Sequence, residues 1–376
     1  MSARKNPMDT KLQENPEKRM FRIPDLRQGI KRIMVSEYFV LYLSILWFIV
    51  MLPVIPNIAS SRNLNNIFDF IWPLLAVCVG QTLVLLIAGI DLSQISVIGM
   101  TSVIGALFMS NRIDPNVLSD SPLWGTVISE NGGIMANSMW AVPVGILMML
   151  LVGSLIGLIN GYFIAKLKMP PFMVTLVTQL FVYNLAIFLT KSNNIIGIPK
   201  AFTEIGKGKI GFIPVAMIIT IVLCVLSQLL LSKTVLGKWI YAVGSNVKAS
   251  VVSGVPRDGV IMFVYAFSGF CAAFASVIYS GRLEMGRPTL GQTLLMDIVG
   301  ATIIGGTSMF GGKGKVLWTF FGVLFFVLLT NVLNLFNLDT FTINIVKGLI
   351  ILLAALFDVI RTKIQANDTK VEKAGA

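Results

Sequence analysis

GSNVKASVVSG, residues 244–254, is a short polar stretch between two long apolar runs, 211–231 and 260–280, and its placement decides how the rest of the chain is read. Lys233, Lys238, Lys248 and Arg257 surround it. Lys and Arg collect in loops on the cytoplasmic side of a membrane, so the stretch reads as an inward-facing loop joining two spans. A displacement of such a loop passes directly into both neighbouring helices.

Composition points the same way. Hydrophobic residues make up 55% of the 376 residues and charged residues 13%, with a mean hydropathy of +0.82, whereas soluble domains carry about 25% charged residues. The formal net charge is +12. In a soluble chain that excess would point to nucleic acid, but here the cations lie in short loops and tails beside apolar runs, so lipid is the expected surroundings and no nucleic-acid partner is expected. The sequence has no histidine, which excludes a histidine-centred catalytic or zinc site. Cys78, Cys224 and Cys271 all sit inside apolar runs and read as small buried side chains, not as a disulfide framework or metal cluster. Residues 1–37 hold nine Lys or Arg and are too long and too mixed for a secretory signal, so they read as a cytoplasmic tail.

Crossing the hydrocarbon core takes about 20 apolar residues per helix. Ten runs are candidates: 38–56, 67–89, 95–109, 139–165, 172–189, 211–231, 260–280, 297–310, 316–334 and 341–360. The expected fold is therefore an all-α integral membrane protein of about ten transmembrane helices, with a polytopic body at 38–360 between cytoplasmic tails at 1–37 and 361–376. The third and eighth runs are short, as broken or re-entrant helices are. With the N-terminus inside, 21 of the 30 Lys and Arg fall on the inner side, eight fall outside, and Lys347 lies within a span. Lys191, Lys200, Lys207 and Lys209, in one outer loop, run against this split.

A faint internal repeat accompanies the ten runs. DLSQISVIGMTSVIGAL from Asp91 resembles TLGQTLLMDIVGATIIGG from Thr289, and Asn160 followed by Pro171-Phe172 resembles Asn331 followed by Thr340-Phe341. Two halves of five spans each would be inverted relative to one another, an arrangement that places a transport pathway near the repeat interface.

Polar groups at membrane depth are the candidates for that pathway. A charge near the bilayer centre costs roughly 2.5–3.5 kcal/mol on insertion scales, so Asp91, Asp297 and Lys347 are expected to face a cavity or a partner. Asp91 and Ser93 also stand where they can cap the helix that follows, and Lys347 can snorkel or pair with a carboxylate. Gln81, Thr82, Asn160, Thr175, Thr178, Gln179 and Asn184 supply the weak hydroxyl and amide contacts that a neutral polyol needs, or bond between helices.

Five blocks occur in an order that resembles the bacterial permeases of ATP-driven (ABC) importers for ribose, xylose, galactose and similar sugars. They are GIDLS (89–93), GLINGYFIAKLKMPPFMVTL (157–176), GKWIYAVGSNVKASVVSGV (237–255), IIGGTSMFGGKG (303–314) and VKGLIILLA (346–354). The resemblance implies a subunit of the bacterial inner membrane, both termini cytoplasmic, paired with a second permease copy or paralogue and served by an extracytoplasmic sugar-binding protein. It also implies a separate cytoplasmic ATPase that holds the ATP and Mg²⁺, so that this chain binds no cofactor and is not itself an enzyme. The segment carrying Gly244, Asn246, Lys248, Ala249, Ser250, Ser253 and Gly254 is then the expected ATPase-docking element. Ala249, Ser250 and Ser253 are small enough for close approach, with Gly244 and Gly254 ending a short helix on either side. The chain departs from the family pattern at Gln94-Ile95-Ser96, where a Val-Gly-Ser run is usual, and at Val247-Lys248-Ala249, where Glu-Ala-Ala is usual.

Two other readings stand beside this one, the first from a different class. An ion-coupled transporter would use Asp91, Asp297 and Lys347, and an importer of the same class could carry nucleosides or branched-chain amino acids. GGTSMFGGKGK (305–315) is glycine-rich but lacks the Gly-Lys-Ser/Thr ending of a phosphate-binding loop. It reads as a tight inner turn anchored by Lys313 and Lys315.

Overall fold

The structure is a computed structural model that describes residue 36 and residues 38–356. The two expected tails, Ser36 apart, and the end of the tenth run lie outside the described residues. In chain order the elements are α1 Phe39–Met51, α2 Ser61–Leu86, α3 Gln94–Met109, α4 Pro115–Leu118, α5 Ala141–Ala165, α6 Pro171–Thr190 and α7 Lys200–Lys207. A two-stranded hairpin follows, β1 Lys209–Ile210 and β2 Ile213–Pro214, then α8 Val215–Lys233, α9 Val235–Ser245, α10 Val247–Val252, α11 Arg257–Leu283, α12 Leu295–Ile304 and α13 Val316–Leu335. The last described helix is α14, Thr340–Leu356.

Each of the ten apolar runs carries one apolar helix. Among the described residues, α2, α5, α6, α8, α11 and α13 are long and apolar enough to cross a membrane, whereas α1, α3, α12 and α14 are shorter. The eighth run is helical only to Ile304, because Gly306, Gly311 and Gly312 take positive φ in the turn that follows. The sixth run begins its helix only at Val215, since residues 209–214 form the hairpin, with Lys209 opposite Pro214 and Ile210 opposite Ile213.

Of the long helices, α2, α11 and α13 are largely buried, while α5, α6 and α8 turn most of their surface outward. Helix α11 packs on α5, α2 and α3, and α2 packs on α13, α12 and α8. The α5–α11 contact is a glycine seam. Gly153, Gly157 and Gly161 recur every four residues on α5 and so share one face. A Cβ at Gly157 would collide with the Tyr265 carbonyl, and one at Gly269 of α11 with the carbonyl of Gly153. In lipid, where helices gain little from hiding apolar surface, close backbone approach of this kind is a main source of cohesion.

Hydroxyls and amides stitch the remaining helices. Ser276 donates to the Ile98 carbonyl (2.8 Å) and Ser280 to the Ser102 hydroxyl (2.7 Å), joining α11 to α3. Thr82 and Thr319 bond at 2.6 Å between α2 and α13, and Asn63 and Asn331 exchange amide bonds of 3.0 and 2.8 Å between the same helices.

The loops gather at two ends. At one, the Asn111 N–H reaches the Gly197 carbonyl, Ile195 and Gly286 exchange backbone bonds, and Lys207 pairs with Glu284 at 2.7 Å. These are the loops expected outside. At the other end lie α9, α10 and the 305–315 turn, with Lys166 paired to Asp258 at 3.3 Å. These are the segments expected inside.

The glycine seam makes a direct prediction. Gly157→Ala is expected to destabilise the bundle by about 1–3 kcal/mol through overpacking, read as a lower unfolding temperature in detergent. Gly348→Ala, at a helical site with open space around it, is expected to leave that temperature unchanged or raise it.

Candidate docking surface and buried polar hub

Residues 246–254 fold as a capped helical turn. The Asn246 side chain accepts from the Ala249 N–H at 3.0 Å, satisfying a free donor at the start of α10. At the other end Gly254 adopts φ +81°. Its N–H reaches the Val251 carbonyl and that of Val255 the Ser250 carbonyl, each at 3.0 Å, the paired closure that favours glycine at this position.

Gly244 does not end this helix, contrary to the sequence expectation. It lies within α9, and a Cβ there would strike the Leu86 carbonyl at the end of α2. Its role is close approach. The Gly312 N–H reaches the same carbonyl at 2.9 Å, so α9, the glycine turn and the end of α2 meet at one point. Burial raises the Tyr241 phenol above its ordinary value, and its hydroxyl donates to the Gly314 carbonyl at 2.7 Å. Gln228 accepts from the Val316 N–H at 3.0 Å. The 305–315 stretch is thus a turn clamped onto the helices beside it.

The small residues divide between two faces. Ser250 is buried against the chain itself and donates to the Val247 carbonyl at 2.8 Å, while Lys248, Ala249 and Ser253 are exposed. Sequence reasoning missed the valines. Val247, Val251 and Val252 all face outward, Val252 with 89% of its surface exposed, and they supply the apolar part of the exposed face. The signal was a run of Val beside Lys on a six-residue helix, too short for periodicity to assign its faces.

Below this surface the turn 87–93 carries the polar hub. Asp91 is only 1% exposed. Its Oδ1 accepts from the Ser93 N–H (3.0 Å) and hydroxyl (2.6 Å), and its Oδ2 from the Ser268 hydroxyl (2.6 Å) on α11. Asn160 of α5 donates to the Ser93 hydroxyl at 2.9 Å, and Thr178 of α6 donates to the Asn160 carbonyl oxygen at 2.6 Å. Gln94 donates to the Ser268 hydroxyl at 2.8 Å. Thr175 bonds back to the Ile90 carbonyl at 3.2 Å.

The expected capping of α3 by Asp91 and Ser93 takes a different form. Ser93 stands at the cap position without a side-chain cap bond, because its hydroxyl is drawn to Asp91 instead. Gln94, a point of departure from the family pattern, supplies a link of the hub.

The remaining candidates lie elsewhere. Lys347 and Asp297 form an ion pair at 2.7 Å between α14 and α12, 4% and 8% exposed, so their charges answer each other. Gln81 is fully buried on α2 with neither end of its amide bonded among the described residues, and Gln179 on α6 leaves its carbonyl oxygen unbonded. Asn184 is exposed in a groove of about 480 Å³ on α6, lined by Val177, Leu180, Phe181, Leu185 and Phe188. Among the described residues no group of His, Cys, Asp and Glu has a metal-binding arrangement.

A bundle of apolar helices with polar groups bonded to one another at depth and a small exposed helix at one end has the build of a membrane transport subunit. The comparisons define the family: the chain belongs to the permease components of branched-chain amino acid transport systems, matched over residues 63–355. It is accordingly a multi-pass membrane protein and a transport component, not an enzyme. It is 34% identical to the ribose import permease protein of Haemophilus influenzae over 81% of this chain and 87% of that one. It is 31% identical to the ribose import permease protein of Escherichia coli K12, over 81% and 87%. Identity to the D-allose transport system permease protein of the same strain is 27%, over 80% and 84%. No solved structure matches.

The ion pair yields a test. Removing one partner of a buried pair costs about 3–5 kcal/mol, whereas an apolar replacement of both is often neutral. Lys347→Met is therefore expected to lower the unfolding temperature sharply, and Lys347→Met combined with Asp297→Leu to restore most of the loss.

Proposed function

We propose that this chain is the membrane-spanning subunit of an ATP-driven importer and that its cargo is a simple sugar of the ribose type. The observation that carries the reading is the kinship, along four-fifths of the chain, with permeases named for ribose. The partners that follow are a cytoplasmic ATPase holding ATP and Mg²⁺, an extracytoplasmic sugar-binding protein and a second permease subunit. The inner membrane of a bacterium is the setting, with ten crossings and both termini inside.

Geometry supports the mechanical half of this reading. The exposed face of α10, with Val247, Val251, Val252 and Lys248, offers an apolar patch with a charge at its edge, suited to packing into a cleft of the ATPase. Its mount is stiff, since Gly244 sits against α2 and Asn246 and Gly254 close the helix at both ends. Two inverted halves of five helices are supported by the way the central helices trade partners. Helix α11 of the second half packs on α5 and α3 of the first, and α2 of the first packs on α13 and α12 of the second.

Ion coupling is the weaker reading for a physical reason. It would need a carboxylate or ammonium free to bind and release an ion, but Asp297 and Lys347 are paired and Asp91 holds three donors.

Reconstitution tests the proposal. Proteoliposomes holding the permease with its ATPase and binding protein are expected to take up radiolabelled ribose only when ATP is supplied. Uptake by this chain alone down an ion gradient would overturn the reading. Orientation has its own test. Lys248→Cys, in a background with Cys78, Cys224 and Cys271 replaced, is expected to react with a membrane-impermeant maleimide from the cytoplasmic side alone, and labelling from the outside would place the docking helix on the wrong face.

A further inference from the structure

Two chains of donors in the buried hub converge on one residue. Thr178 donates to Asn160, Asn160 to Ser93, and Ser93 to Asp91; on the other branch Gln94 donates to Ser268, and Ser268 to Asp91. An ionised carboxylate only accepts, so it fixes the direction of each link behind it. The two serine hydroxyls illustrate the constraint, since each spends its hydrogen on Asp91 while accepting an amide hydrogen from behind.

The hub is also anchored at both ends. On the docking side, Leu86 at the end of α2 meets Gly244 and the Gly312 N–H through its carbonyl, and the 87–93 turn begins there. On the other side, Thr175 ties the same turn to α6 directly through the Ile90 carbonyl, and Thr178 does so through Asn160 and Ser93, beside Val177, Leu180 and Phe181 of the exposed groove.

We propose that Asp91 is a positioning residue that makes the docking segment, the 87–93 turn and the groove face of α6 move as one body, so that motion imposed at α10 reaches the membrane face of the protein. Asp91 does this without touching cargo, since it is buried within the turn, 1% exposed. The inference rests on the ATP-driven permease reading and deepens it by naming the link between drive and pathway.

An amide at position 91 breaks the pattern. Asparagine keeps one acceptor oxygen but puts an NH2 group in place of the other, so one of the two serines, Ser93 or Ser268, meets a donor where it had an acceptor and must turn its own hydrogen away. The link to α6 slackens while the fold around it is kept.

The test uses the assembled transporter in proteoliposomes, with permease, ATPase and binding protein, and radiolabelled ribose as probe. Asp91→Asn is expected to leave binding-protein-stimulated ATP hydrolysis intact and to lower ribose uptake per ATP by about two- to thirtyfold, the span of coupling changes seen along such networks. The ribose concentration giving half-maximal uptake stays unchanged, because no cargo contact is lost. Thr178→Val, which removes the hydroxyl at constant shape, is expected to act in the same direction, and Thr178→Ser to restore the wild-type ratio. This second pair carries the test if Asp91→Asn does not fold. Wild-type uptake per ATP in both Asp91→Asn and Thr178→Val would overturn the proposal, as would a parallel fall of hydrolysis, uptake and unfolding temperature, the mark of a merely structural role. If the wild-type assembly takes up no ribose with ATP, the importer reading for this sugar fails first, an outcome distinct from normal coupling in the variants.

Discussion

A polar group inside an apolar bundle has no water to turn to, and an unpaired one costs several kcal/mol in hydrocarbon. That constraint organises this structure more than any single contact. Asp91 gathers three hydrogen bonds, Asp297 and Lys347 neutralise each other, and Thr82 finds Thr319 across two helices. Because Ser268–Asp91, Lys347–Asp297 and Thr82–Thr319 each join different parts of the fold, satisfying the polar groups also fixes how the helices sit.

Packing supplies the second constraint. Where α5 crosses α11, the glycines at 153, 157 and 161 bring the two backbones into contact, and the carbonyls of Tyr265 and Gly153 occupy the space that side chains would have taken. Close approach at this seam brings Asn160, one residue before Gly161, within reach of Ser93 and Thr178. The apolar packing and the polar hub are therefore one arrangement, not two.

The segment 246–254 joins this arrangement at its edge. Helix α10 is six residues long and holds its shape through caps at both ends, with only Ser250 buried against the body. Its connection inward runs through the crowded point at Leu86, where α2, α9 and the glycine turn meet. A stiff outer element resting on a tightly bonded inner one suits a part that passes on force and does no chemistry itself.

The sequence by itself determined the class, the number of apolar runs and the segments where structure breaks. Those follow from hydropathy, charge and glycine, which act locally, and the five ordered blocks resemble those of sugar importer permeases. Tertiary structure alone decided the rest. Whether Asp91 caps a helix or anchors a network depends on Ser268, 177 residues away, and the partner of Lys347 is a carboxylate 50 residues earlier on another helix. Gly244 looked like a helix stop because glycine often is one, but the carbonyl of Leu86 gives it a different task. Hydrogen bonds and backbone approach join residues distant in the chain, and no local pattern records which distant residue will arrive.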